Sequence, residues 1–165
     1  FFALEIITGF ISGSMGLVAD SLDMLADAIV YGLALFVVGK AAGHKRKIAR
    51  ISGYFQLLLA IFGFVEVIRR FLGLGEEPDF KMMIGISLFA LIGNALSLYL
   101  LQKSKSKEAH IQASMIFTSN DVIVNIGVAA AGALVYFTSS NLPDLIIGTI
   151  VFALVAFGAY RILKL

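Results

Sequence analysis

Three aspartates, Asp20, Asp23 and Asp27, stand in the stretch VADSLDMLADA, inside a segment that is otherwise almost wholly apolar. At about 100° per residue along a helix, positions i, i+3 and i+7 fall on one narrow stripe, so the three carboxylates share a face. An aspartate at the centre of a membrane span costs about 2.5–3.5 kcal/mol on insertion scales, and such residues turn inward toward a partner, a cation or a water-filled cavity. No Lys or Arg lies in the middle of an apolar run to act as the partner. The chemistry this pattern can do is cation binding by oxygen.

A second polar stripe lies in MIFTSNDVIVNIGV. Asp121 has Asn125 one turn beyond it and Thr118 and Ser114 on the same face, while Asn120 sits about 100° round the helix. Asp121 is about ten residues from one end of its apolar run and Asp27 about thirteen from the opposite end of its own; at about 1.5 Å per residue both reach mid-membrane. Asp27 and Asp121 could therefore meet at the same depth, and oxygen ligands gather on two helices. Asp20 is nearer the outer end and reads as a solvated vestibule residue or a cap. His110, beside a basic loop, reads as interfacial, with metal entry as its alternative role. Asn94 reads as helix-to-helix hydrogen bonding, Glu66 as a local ion pair with Arg69 and Arg70, and Gly9, Gly13, Gly16 and Gly127 as points of close helix packing.

The elements that must position these residues follow from composition. Of 165 residues, 59% are hydrophobic and 15% charged, with no Cys or Trp and two Pro, and the mean hydropathy is +0.95. That is a membrane composition, and without the period-two alternation of a lipid-facing barrel the spans are helices. Six runs approach the roughly 20 apolar residues that cross a ~30 Å core: about 1–13, 14–38, 48–72, 82–101, 111–137 and 145–163. The predicted fold is an all-α six-helix membrane bundle, a single transmembrane domain over 1–165 with no soluble domain. The opening FFALEIITGF has no initiating Met and no basic flank, so it does not read as a signal peptide. Without cysteine there is neither a disulfide framework nor a thiolate metal site.

Charge sets the orientation. If the spans alternate, Lys40, Lys45, Arg46, Lys47, Arg50, Lys103, Lys105, Lys107, Arg161 and Lys164 fall on one side, and Arg69, Arg70 and Lys81 on the other. The basic side is expected to be cytoplasmic, with both termini there and a multi-pass location in the cell (inner) membrane. His44 with Lys45, Arg46 and Lys47 reads as a topology signal that also meets anionic lipid.

GSMGLVADSLDMLADA, the six-span plan and the polar NDVIVNIGV of the fifth span resemble the cation diffusion facilitator family of divalent-metal/proton antiporters. Softer matches are VEVIRR ending the third span, Asn94 in LIGNALSLYLL and LPD before the sixth. The resemblance implies a pair of metal ligands four residues apart on the second span and a similar pair on the fifth. Carried over, these are Asp23 with Asp27, and Phe117 with Asp121. Phe117 departs from the pattern, since a phenyl ring binds no metal, so the resemblance implies Asp23, Asp27 and Asp121 as the core of the metal site, with Asn125 and Asn120 ahead of Asp20 as sources of the fourth oxygen. It also implies a homodimer, and a C-terminal cytoplasmic metal-sensing domain that this sequence is expected to lack.

The expected function is a secondary transporter, not an enzyme, exporting a divalent cation of the Zn, Mn, Fe, Co or Cd class from the cytoplasm in exchange for protons. The metal is cargo rather than cofactor, and no nucleic acid is expected as a partner. An oxygen-only ligand set suits hard ions such as Mn²⁺, and the missing imidazole at Phe117 argues against strict zinc selectivity. Crowded carboxylates hold protons when empty, so protons and metal compete for the same oxygens. The same acidic stripe would also serve a cation channel or passive pore, or a non-transporting membrane subunit that binds metal.

Overall fold

The computed structural model describes residues 1–36, 42–75, 77–103 and 109–164. They form six helices and, among the described residues, no strand: α1 (Phe2–Ser12), α2 (Met15–Phe36), α3 (Ala42–Phe71), α4 (Phe80–Lys103), α5 (Ala109–Thr138) and α6 (Leu142–Leu163). Four of them, α3 through α6, are long and apolar enough to cross a membrane. The α1 helix has 11 residues. At 22 residues α2 is long enough, and what sets it apart from those four is the charge of Asp20, Asp23 and Asp27. The molecule is an all-α membrane bundle, as the composition predicts.

Local sequence explains where the helices stop. Gly13 adopts a left-handed conformation (φ 66°), ending α1, and the Ser14 N–H bonds back to the Gly9 carbonyl at 3.0 Å; Gly is the residue that reaches this conformation without strain. Its role is thus the sharp α1–α2 turn rather than close packing. Ser14 then caps α2, its hydroxyl oxygen accepting from the Leu17 N–H at 3.1 Å. Asp79 starts α4 in the same way, accepting from the Lys81 N–H at 2.8 Å. Pro143 sits in the first turn of α6, where its missing N–H costs nothing. One boundary differs from the sequence expectation: α3 begins at Ala42, so part of the stretch expected as a basic loop is helical. Lys and Arg are good helix formers, and propensity prevails where no breaker intervenes.

The α2 helix is the hub. It contacts all five others, whereas α4 lies chiefly along α5 and α3 along α6. The α3–α6 approach is close enough that a Cβ at Gly63 would fall 2.2 Å from the Phe152 ring. Around the hub, Met15, Leu17, Val128, Val151 and Phe152 form the apolar core. Large apolar side chains such as Phe10, Phe62, Ile92 and Phe137 are exposed on the perimeter. In a soluble protein that would be a liability; here it is the surface lipid covers.

Candidate metal centre

Asp23 and Asp27 lie one helical turn apart on α2 and line a common cavity of about 490 Å³. The opposite wall comes from α5, through Phe117 and Asn120, and the third side from Gln56 on α3. A second space of about 310 Å³, also bordered by Asp27, Gln56 and Phe117, continues toward Arg161 and Ile162 at the far end of α6. The cavity is therefore reached from the end of the bundle that holds Arg161, away from the α1–α2 turn. Asn120 is exposed to this space, and Asp23 and Asp27 are half-buried.

Sequence reasoning missed Gln56. It is buried at 3% exposure, and its Nε2 donates to the Ala26 carbonyl at 3.1 Å, fixing the side chain against α2. A lone glutamine in an apolar run carries no periodic signal, and only the packing of α3 on α2 brings it to the carboxylates.

The other predicted residues are arranged differently. Asp121 is half-buried, its Oδ1 is enclosed without a hydrogen-bond partner, and its charge is felt by Asp27; yet it does not line the cavity with Asp23 and Asp27. Among the described residues no three carboxylate or imidazole side chains converge tightly enough to enclose one ion. Asn125 is fully buried and engaged elsewhere: its Oδ1 accepts from Asn94 Nδ2 at 3.2 Å, and its Nδ2 donates to Asp20 Oδ2. Asn94 is thus helix-to-helix glue between α4 and α5, as expected.

Asp20 requires a correction. It is no solvated vestibule residue or cap, being 0% exposed and held by the Asn125 amide. Periodicity gave its face correctly, but α1 and α5 close over that face. Glu5, to which the sequence assigned no role, is likewise 0% exposed, and neither of its carboxylate oxygens has a hydrogen-bond partner. The side chain of His110 lies outside the described residues, as do Lys40, Lys105 and Lys107 and the side chains of His44, Lys45, Arg46 and Lys47.

Polar contacts close the bundle at the α1–α2 turn. Asp144 of α6, 1% exposed, accepts hydrogen bonds from the Ser14 hydroxyl at 2.7 Å, the Met15 N–H at 2.7 Å and the Gly16 N–H at 2.9 Å. A carboxylate on the N-terminus of α2 satisfies donors the helix itself cannot use and complements the helix dipole. Arg70 of α3 donates to the Gly13 carbonyl and pairs with Glu66 at 2.8 Å. Glu66 also pairs with Arg69 at 2.7 Å, the local ion pair expected from their spacing. The Asp79 N–H donates to the Ser12 carbonyl at 2.8 Å, tying the α3–α4 connection to the end of α1.

Comparison with known proteins gives a consistent picture. The sequence model of the cation efflux transmembrane domain matches residues 1–164. The chain is 28% identical over 178 aligned positions to the zinc transporter ZitB of Pectobacterium atrosepticum, covering 99% of this chain and 55% of that protein. It is 33% identical over 115 positions to the vacuolar zinc transporter COT1 of Saccharomyces cerevisiae, covering 61% and 26%. With the metal cation efflux system protein CzcD of Cupriavidus metallidurans it shares 25% identity over 150 positions, covering 84% and 47%. The chain spans about half the length of ZitB and less of the other two.

Proposed function

Because the chain belongs to the cation efflux family, also called cation diffusion facilitators, we propose that it carries a divalent metal cation across the membrane in exchange for protons. The observation that carries this is the Asp23–Asp27 pair facing one interior cavity with Asn120 and Gln56. Two carboxylates neutralise a dication that hydrocarbon alone would reject, and they concentrate ligand oxygens where no Lys or Arg from mid-span competes. Asp121, close enough for its charge to act on Asp27, completes the ligand shell when α5 moves toward α2. Protons occupy the same oxygens in the empty site, so arrival of metal displaces them. Access from the Arg161 side, with the α1–α2 turn tied down, is one half of an alternating cycle.

Two relatives are named zinc transporters, so Zn²⁺ belongs among the cargoes; the oxygens of Asp23, Asp27, Asn120 and Gln56, with Phe117 offering no nitrogen, favour Mn²⁺ or Fe²⁺ beside it. Cytoplasmic termini in the cell inner membrane, from the one-sided basic residues, and a homodimer, from the family resemblance, complete the proposal. In proteoliposomes loaded with a metal-sensitive dye, Asp27→Ala is expected to abolish flux of Zn²⁺ and Mn²⁺ while the protein stays folded. Flux equal to wild type would sink the assignment, and flux indifferent to an imposed pH gradient would replace the exchanger by a passive pore.

A further inference from the structure

The interior holds two acidic groups that the Asp23–Asp27 cavity does not use. Glu5 on α1 and Asp20 on α2 are both 0% exposed. Neither Glu5 oxygen accepts a hydrogen bond, and Asp20 Oδ1 accepts none. Both are enclosed by neighbouring helices, Glu5 where α1 packs on α2 and α4, and Asp20 where α2 packs on α1 and α5. They come to one level because α1 and α2 fold back on each other at close range: a Cβ at Gly9 would come within 2.9 Å of Val18, and one turn from that crossing Glu5 is level with the Asp20 region of α2. Among the described residues the only ion pairs are those of Glu66 with Arg69 and Arg70, so no basic side chain balances Glu5 or Asp20.

The remaining polar groups here are ordered. Asn94 donates to Asn125 and Asn125 donates to Asp20 Oδ2, a chain of amides that ends on one carboxylate oxygen and leaves Oδ1 unused. The donors favour Asp20 as the anion, while Glu5 receives none. Buried carboxyls with orphaned oxygens are satisfied by a proton or by a bound cation, and a cation that takes the protons' place gains every one of those oxygens. Two carboxylates balance one dication, and an all-oxygen donor set selects a hard one.

We propose that Glu5 and Asp20, oriented by Asn125, form a second, occluded binding site for a divalent cation. Asp20 and Asp27 are seven residues apart on α2, about 10 Å along the axis, and Asp20 is on the side of the α1–α2 turn. As a stop on the way out this site rests on the transport function proposed above, but its occupancy can be measured without flux.

The experiment counts Mn²⁺ bound per chain by electron paramagnetic resonance, with the full chain in lipid nanodiscs. Wild type is expected to bind two ions, Glu5→Gln one, Asp23→Asn/Asp27→Asn one, and the triple variant none. Glu5→Gln preserves shape and removes a buried charge, and Asp20→Asn provides an independent second variant should it fold poorly. One ion per wild-type chain, an unchanged count in both Glu5→Gln and Asp20→Asn, or loss of both ions from either folded variant would overturn the second site. If instead Asp23→Asn/Asp27→Asn leaves the count at two while Glu5→Gln lowers it to one, the cavity assignment fails and the Glu5–Asp20 site stands.

Discussion

Phe117 is the residue at which this chain departs most from the pattern it resembles, and it lines the cavity opposite Asp23 and Asp27. The ring stands where the resemblance implies a metal ligand, and in the function proposed above oxygen donors are left to choose the metal. Phe117→His is expected to raise preference for Zn²⁺ over Mn²⁺ by about tenfold or more, roughly the 1.4 kcal/mol that one good ligand supplies; competition calorimetry with an unchanged ranking would reject it. The aspartates were legible in the sequence because charge within an apolar run is costly enough to demand a reason. What the spacing of Asp20 could not show is how completely other helices cover it. Glu5 was illegible for the same reason: its helix packs on α2 and α4, which no local pattern in FFALEIITGF reports.

At the scale of helices, the apolar runs located all six elements, because a span must satisfy its own backbone hydrogen bonds and cross a fixed thickness. The start of α3 was not legible, since a basic helix and a basic loop have the same composition. Nor was the seating of α6 on α2, which depends on Asp144 meeting Ser14, Met15 and Gly16 from about 130 residues away. Asp144→Ala leaves three buried donors unsatisfied, at about 1–3 kcal/mol each when nothing replaces the acceptor. The variant is expected to unfold at clearly lower temperature in detergent micelles, with Asp144→Asn intermediate because an amide oxygen still accepts. A melting temperature equal to wild type for Asp144→Ala would show the cap to be dispensable.

For the molecule as a whole, the cavity extends toward the Arg161 end while the α1–α2 turn is tied down at the other. Arg70→Ala frees the Gly13 carbonyl and removes one of the ties. In that background a cysteine replacing the buried Ser12 should react severalfold faster with a water-soluble maleimide than in the parent, and the absence of native cysteine keeps the signal clean. Equal rates would mean that Arg70 does not hold the turn shut. Proton competition is also a whole-molecule property. Under the proposed exchange, in which protons and metal share the same oxygens, apparent metal affinity should fall as pH falls, by about tenfold per pH unit for each proton displaced. Calorimetry in buffers of different ionisation enthalpy counts those protons, and a count of zero would remove exchange from the mechanism.

The Asp144 cap also bears on biosynthesis. The second helix, burdened with three aspartates, is the span least willing to rest in lipid by itself, and the carboxylate that seals its N-terminus belongs to the sixth. Until the ribosome has made α6, α2 sits in the bilayer with open donors at one end and bare acids along one face. The helix that carries the three aspartates is thus left uncapped until the last helix of the bundle is made.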